Sequence, residues 1–456
     1  MFDTVIQGGT IYTPEKSFVG DIGIVGEKIA EITEGKRLEG KQSIDATGKC
    51  VFPGFIDPHV HIHLPFMGTN AIDDHESASK AALVGGTTTI IEMICPGPAD
   101  EPAKAFAEWK GLAQEGCCCD YTFHVAVVRF DDLAKEQLRN LVANEGVQSF
   151  KIFLAYKGAL DISDEHLHEL MLMCKELGVT LTAHCENAEA IDAKQKQLIA
   201  EGKTGPQWHE PSRPRDVEAG GVEHLCEFAK QTRAKVYVVH TSCGQAVEKA
   251  MAAKNRGVEV TVEAVVPHLV LDKTYAERPN FEGAKFVMSP PLRDKEEHAA
   301  LWDGLANGSV KTVGTDHAPF NFHGQKDMGK DNFTLIPNGI PSIQERVDLV
   351  HTSGVCTGKI DLQTMVEVCS TNVAKQFNMF PKKGAIAVGS DADIVIYDAD
   401  FVGTFKHEDG LSNVDYSGFE GMERKGRSDA VLLRGKIVAK QGEFVGDSGA
   451  GKYHPR

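Results

Sequence analysis

Hydrophobic and polar positions change rhythm twice along the chain. Near the N-terminus, DTVIQGGTIYT, GDIGIVGEKIAEI and SIDA are short β-rich runs closed by Gly or Asp, and DADIVIYDA and AVLLRGKIVAKQGEFVG repeat that texture near the C-terminus. This is the pattern of antiparallel sheet. Between them, from Cys50 to about Phe320, apolar β-branched runs alternate with helical segments, as parallel strands buried on both faces require. Eight such runs stand out: CVFPGFID, TTTIIEMI, YTFHVAV, SFKIFLAY, VTLTAHCEN, KVYVVHTS, VEVTVEAVV and KTVGTDHA. Intervening stretches such as DLAKEQLRNLVANEG and DEHLHELMLMCKELG place apolar residues at helical spacing and end at Gly, a C-terminal cap.

Eight alternations predict an α/β fold, a (β/α)8 TIM-like barrel over residues 52–381. Helices around Ile343 to Val350 and Leu362 to Phe377 finish its wall before Pro381 and Gly384 break the chain. The flanking segments, 1–51 and 382–456, each hold too few strands to bury a face alone. They are expected to pair into one β-sandwich accessory domain, a separate C-terminal domain being the alternative. The closing GDSGAGKYHPR reads as a loose tail.

Composition narrows the function. At 456 residues, 42% hydrophobic and 25% charged, the chain fits a large globular enzyme with a sizeable core. The formal net charge of −17 argues against a nucleic-acid or anionic-membrane partner, which clustered Lys and Arg would serve. No run approaches the roughly 20 apolar residues of a membrane helix, and MFDTVIQGGT lacks a basic segment followed by an apolar one, so a cytoplasmic location is expected. Eleven cysteines, single apart from Cys117, Cys118 and Cys119, show neither zinc-knuckle nor disulfide spacing and read as reduced thiols.

The chemistry is expected where a barrel places it, at the C-terminal ends of its strands. His59 and His61 follow the first strand in DPHVHIH, and strand alternation puts both imidazoles on one side, ready to share a cation. His184 ends the fifth run, His240 the sixth and Asp316 the eighth. Each alone reads as a hydrogen-bonded core residue. Together, without a metal, they would desolvate five polar groups uncompensated. Lys151 lies inside the apolar run SFKIFLAY. It is either a lysine reaching back to the strand end or one whose burial exposes a nucleophilic amine able to add carbon dioxide. The resulting carbamate is a bidentate anion that can span two cations. Two divalent ions give +4, and carbamate, Asp316 and one bridging hydroxide remove about 3, leaving a net positive centre. Imidazole and oxygen ligands without thiolate suit zinc, with manganese or cobalt able to substitute.

Over nearly its whole length the sequence resembles the dihydropyrimidinase and D-hydantoinase branch of the amidohydrolase superfamily. The resemblance rests on FPGFIDPHVHIHLPFMGT, GGTTTIIE, CCDYTFHVAV, SFKIFLAYKG, AHCENAEAI, YVVHTSCGQAVE, NFEGAKFVMSPPLR, DNFTLIPNG, STNVAKQFNMFPKKGAIAVGSDADIVIYD and FEGM. It implies that His59, His61 and Asp316 bind one metal, His184 and His240 a second, and N6-carboxylated Lys151 bridges them. It further implies that Tyr156 assists the oxyanion, that Ser289 and Asn338 hold a cyclic imide, largely through backbone atoms, and that Leu64, Phe66, Met67 and Phe153 face its substituent. The implied reaction is ring opening by hydroxide bridging the binuclear centre, with Asp316 as proton carrier. It yields N-carbamoyl amino acids from dihydrouracil, dihydrothymine or 5-substituted hydantoins, on a homotetramer.

The pattern is broken at His317, Ala318 and Pro319, where relatives often carry Cys after the strand-eight Asp and where dihydroorotases and allantoinases resemble this chain instead. Dihydroorotases, however, place Arg two residues beyond the second histidine to hold a substrate carboxylate, and here that residue is His63, a poor cation at pH 7. Allantoinase or dihydroorotase chemistry is the alternative within the class. A non-catalytic dihydropyrimidinase-like scaffold is the alternative outside it, and such relatives lack the six ligands.

Overall fold

The computed structural model describes residues 1–156 and 158–456. Eight parallel strands form the barrel in chain order: β1 (Phe55–Val60), β2 (Thr87–Ile94), β3 (Asp120–Ala126), β4 (Ser149–Phe153), β5 (Thr180–His184), β6 (Lys235–Val238), β7 (Val260–Val265) and β8 (Thr312–Gly314). Val60 bridging His317 closes the ring between β8 and β1. Every residue of β1 to β5 is buried, which is why these strands read as unbroken apolar runs rather than alternating ones. Two layers nevertheless exist. Ile91, Met93, Cys95, Phe153 and Tyr237 belong to a cluster inside the barrel, and the outer faces pack on the helices. The period of two places Lys151, two residues before Phe153, on the inner face.

The helices are set by their caps. Asp132–Glu145 starts with Asp131 accepting from Ala134 N and stops at Gly146, φ 70. Asp164–Leu177 starts at Ser163 and stops at Gly178, φ 72. Both glycines occupy the left-handed conformation that ends a helix. The two helical stretches expected after β8 are present at Arg346–Val350 and Leu362–Gln376, each with one π-helical turn, His351–Val355 extending the first and Glu367–Thr371 interrupting the second.

The terminal segments build one nine-stranded mixed sheet. Phe2–Tyr12 pairs antiparallel with Ser17–Val25 and parallel with Gly40–Asp45 and Cys50–Pro53; the last pairs antiparallel with Ile394–Thr404. A separate C-terminal domain is therefore excluded, and Ile6, Ile22, Val51, Ile394 and Leu432 share one accessory core. Two expectations need correction. The run CVFPGFID is two strands, not one: Cys50–Pro53 belongs to the accessory sheet and the barrel begins at Phe55. The break is Gly54, where a Cβ would lie 2.1 Å from Thr88 Oγ1. Nor is the end of the chain loose. Tyr453 bridges Tyr121 and stacks on Phe123 with ring centroids 5.8 Å apart. Among the described residues, no helix is long and apolar enough to cross a membrane.

Candidate metal centre and its pocket

The inner faces of β1, β4 and β5, with the segments leaving β6 and β8, bring six polar side chains to one end of the barrel. His59 closes toward the centre from β1 and His61 lies just past it. Lys151 sits mid-β4 and His184 ends β5. His240 and Asp316 lie two residues beyond β6 and β8. His240 has φ 39 and Asp316 φ 52, left-handed backbone that is unfavourable for residues with a Cβ and clusters at functional sites. The strain re-aims both side chains into the barrel mouth.

Asp316 Oδ1 lies 3.1 Å from His59 Nε2 and 3.3 Å from His61 Nε2. His184 Nδ1 lies 3.0 Å from His240 Nε2, and the His59 and His240 rings are 5.2 Å apart. Despite this crowding, His59 Nε2, His61 Nδ1, Lys151 Nζ and His240 Nδ1 are buried without a hydrogen-bond partner. Four orphaned polar atoms in one buried cluster are costly, and a cation accounts for the three imidazole nitrogens. His59, His61 and Asp316 present ligand atoms all within 4.8 Å of one another. A metal centre fits these residues.

The electrostatics agree for three of the four imidazoles; at His59 burial lowers the pKa, but Glu263 and Asp316 outweigh it and raise it to about 9, so a cation there would displace a proton. Burial pushes His61 down to about 4 and lowers His184 and His240 as well, keeping those imidazoles in the neutral form that binds metal. Burial pushes Asp316 up, but the neighbouring His59 and His61 imidazoles outweigh it and hold the carboxylate well below its usual range. Burial brings the Lys151 amine down to about 8 against the pull of Asp316 and Glu263, so a substantial neutral fraction exists near neutral pH.

Tyr156, Ser289, Asn338, Phe66, Phe153 and Leu64 line the same pocket, beside Lys151 and His184. Phe66 and Phe153 both meet the Tyr156 ring edge-on, at 5.4 and 5.9 Å. Asn338 Nδ2 donates to Ser289 Oγ over 3.0 Å. Met67, expected on the substituent side, does not line the pocket; it occupies the turn of a hairpin pairing Pro65–Phe66 with Thr69–Asn70.

The chain matches the profile of the Amidohydrolase family over residues 50–438. The chain belongs to the amidohydrolase family. It is similar to the D-hydantoinase of Geobacillus stearothermophilus, 42% identical over 452 residues, covering 99% of this chain and 96% of the relative. It is 38% identical over 459 residues to the dihydropyrimidinase of Rattus norvegicus, covering 99% of this chain and 88% of that one. A solved structure of D-hydantoinase (dihydropyrimidinase) from Thermus sp. superposes with a TM-score of 0.96 at 51% identity, covering 99% and 98% of the two chains. The resemblance to the dihydropyrimidinase and D-hydantoinase branch is thereby borne out.

Within this amidohydrolase, the departure at His317 has a structural explanation. Its Nε2 faces Asp73 Oδ2 at 2.9 Å and its Nδ1 accepts from Ser342 N at 3.1 Å. Both ring nitrogens are engaged away from the pocket, and Ala318 is the neighbour that lines it. His63 stays outside too, half-buried against His75. His268 is a buried strut bonded to Pro290 O at 3.0 Å.

Sequence reasoning missed the residues behind the ligands. Glu263 on β7, fully buried, takes His59 Nδ1 at 2.9 Å and His240 N at 3.2 Å on the same oxygen. Glu186 takes His184 Nε2 at 2.7 Å and is itself paired with Arg213 at 2.5 Å. A carboxylate amid the apolar run VEVTVEAVV is the same kind of signal as Lys151 in SFKIFLAY. No comparable signal marks Arg213.

Proposed function

We propose that this amidohydrolase opens the ring of dihydropyrimidines such as dihydrouracil and dihydrothymine, and of 5-substituted hydantoins, to give N-carbamoyl amino acids. The protein is a cyclic amidohydrolase; the ring preference and the details of the centre are our reading. One observation supports it above others: a fully buried, unpartnered lysine amine surrounded by four imidazoles and one carboxylate. Carboxylated at Nζ, Lys151 turns from an orphaned cation donor into a bidentate anion. The site would then hold two divalent ions, zinc by ligand type, His59, His61 and Asp316 serving one, His184 and His240 the other, and modified Lys151 able to serve both. Such ions supply Lewis acidity toward a carbonyl and a hydrolytic water of lowered pKa.

The chain's own residues do the rest. Ser289 and Asn338 hold the imide so that its carbonyl carbon faces the water. Asp316, deprotonated and within 3.3 Å of two imidazoles, takes a proton from that water as the C–O bond forms. It returns the proton to the ring nitrogen as the C–N bond breaks. The Tyr156 hydroxyl donates to the developing oxyanion. Leu64, Phe66 and Phe153 present an apolar face to the ring substituent. Lys151 is the sole cationic side chain lining the pocket among the described residues, and Arg213 behind it is committed to Glu186. Among the described residues a substrate carboxylate finds no free cation there, which disfavours dihydroorotate. We also infer a homotetramer acting in the cytoplasm.

The test is turnover of dihydrouracil, a 5-substituted hydantoin, allantoin and dihydroorotate by zinc-loaded protein, with bound zinc counted. Opening of the first two with two zinc ions per chain is expected. Turnover confined to allantoin or dihydroorotate overturns the ring assignment. A carbamate carbon signal from ¹³C-bicarbonate, absent in Lys151→Met, tests the bridge.

A further inference from the structure

Lys326 lies on a 3-10 turn, Lys326–Gly329, in the loop after β8, and its side chain is completely buried. Its Nζ donates to two main-chain carbonyls, Pro337 O at 2.9 Å and Val287 O at 3.1 Å. They belong to different loops. Pro337 immediately precedes Asn338, and Val287 stands two residues before Ser289. The same loops are tied again by Gly339 N to Val287 O at 2.9 Å and by Asn338 Nδ2 to Ser289 Oγ at 3.0 Å. Lys326 is the wedge beneath both ties.

Nothing about packing alone asks for an amine here. A buried ammonium is costly, and no carboxylate pairs with Lys326 among the described residues. Burial alone brings its pKa down to about 7, and a neutral amine has two N–H donors, which matches two carbonyl acceptors. Methionine or leucine would fill the volume without that cost, so the donors are what the position uses. The preceding residue extends the link. Gln325 Nε2 donates to Thr69 Oγ1 and Asn70 O, both at 2.7 Å. Thr69 pairs with Phe66, the hairpin residue that lines the pocket.

We propose that Lys326 is a positioning residue of the substrate pocket: gripping the Val287 and Pro337 carbonyls, it sets the spacing of Ser289 and Asn338. With Gln325 it couples that spacing to the hairpin bearing Phe66. The proposal rests on the reading of Ser289 and Asn338 as the groups that hold the ring. A ring held between two loops whose separation has lost its strut binds less well, whereas the reacting groups stay where β1, β4, β5, β6 and β8 put them. The deficit therefore falls on KM.

The experiment compares Lys326→Met, Lys326→Gln, Gln325→Ala and Asn338→Ala with the parent, as zinc-loaded protein. It measures KM and kcat for dihydrouracil, zinc per chain, and amide hydrogen exchange over residues 286–290 and 336–340. Lys326→Met is expected to raise KM about tenfold, with kcat within about threefold. Zinc content stays unchanged and exchange quickens in both segments. Lys326→Gln, which keeps two N–H donors on a shorter stem, recovers part of the loss. Unchanged KM or unchanged exchange in Lys326→Met overturns the proposal. If that variant does not fold, Lys326→Gln decides by the same criteria: a raised KM with quickened exchange in both segments retains the proposal, and unchanged KM or unchanged exchange overturns it. Gln325→Ala with unchanged KM overturns the hairpin link. Asn338→Ala with unchanged KM overturns the ring-holding reading instead, and the exchange data then judge Lys326 by themselves.

Discussion

Glu263 holds His59 from behind: the carboxylate on β7 and the imidazole on β1 meet at 2.9 Å, Oε1 to Nδ1, with both side chains fully buried. A carboxylate accepts, so Nδ1 carries the hydrogen and Nε2 keeps its lone pair for a metal. The same oxygen receives His240 N at 3.2 Å, so one acid orients both His59 and the backbone that carries His240. Glu263→Gln keeps the volume and loses the charge. We expect zinc affinity to fall about 10- to 100-fold, as when other carboxylate supports of metal-binding histidines are removed. Competition with a chelator measures it, and an unaltered affinity would show that His59 is oriented by packing alone.

Tyr156 is held by rings on two sides and by backbone at φ 62, a conformation that aims its hydroxyl at the pocket it lines. Burial raises its phenol above 10.0, partly offset by Arg213, whose guanidinium lies 5.4 Å from the ring. The group therefore stays protonated and donates at working pH. On the proposed role, Tyr156→Phe removes one oxyanion donor. A kcat loss of about 100-fold with little change in KM is expected. Steady-state kinetics showing kcat within a few fold of the parent would remove Tyr156 from the reaction.

The barrel was legible because strands buried on both faces leave runs such as TTTIIEMI and SFKIFLAY without the polar alternation of an exposed sheet. The six convergent residues were legible for a related reason, since a charge or imidazole inside such a run has nowhere else to point than the strand end or the barrel interior. What stayed hidden depends on contacts between distant parts. Gly54 divides CVFPGFID because Thr88 passes against it, and neither residue advertises the other. Glu186 and Arg213 are 27 positions apart and become a pair only when the segment before the helix Arg215–Thr232 folds over β5. The turn of the hairpin took Met67 out of the pocket while leaving Phe66 in it, a distinction that one residue of register decides.

Lys383 joins barrel to accessory sheet. Its amine contacts Asp120 at the start of β3, Asp393 at 2.5 Å and Asp391 at 3.1 Å. Burial pushes its pKa down, but Asp393, Asp120 and Asp391 outweigh that and hold it well above 10.5. A folded value above the unfolded one means the contribution is fully present below pH 10.5 and fades only as pH rises through the folded value. The parent should therefore gain nothing from this group between pH 5 and pH 9 as the solution is acidified. Lys28 still pairs with Asp391 and Arg434 with Asp120, which leaves Asp393 the most exposed to loss of the lysine. In Lys383→Met the stranded carboxylates have raised pKa values, so the variant's deficit, about 3 to 5 kcal/mol at pH 7, shrinks as they take up protons on acidification. Urea midpoints at several pH values measure this; a deficit independent of pH would assign it to lost packing.

The last four residues, Tyr453 to Arg456, seal the end of the barrel opposite the metal centre. Tyr453 OH donates to Glu145 O at 2.6 Å, His454 N to Tyr121 O at 2.8 Å, Arg456 N to Gly146 O at 3.0 Å, and Arg456 Nη2 reaches Ser149 Oγ at 2.8 Å. Removing them strips these four hydrogen bonds, those of Arg456 Nη2 to Phe123 O at 2.5 Å and Lys382 Nζ to His454 Nδ1 at 3.2 Å, and an aromatic side chain. The expected cost is on the order of 8 kcal/mol, at about 1 kcal/mol per bond plus the burial of one tyrosine ring. No ligand of the centre touches these residues, so a chain ending at Lys452 should unfold at lower temperature yet bind its full complement of zinc at 25 °C. Ser149 lies two residues before Lys151 on β4, and that proximity makes the zinc measurement decisive. If metal content falls with the truncation while the remaining fold persists, the seal supports the strand that carries Lys151. If only the thermal midpoint moves, it acts on the barrel as a whole.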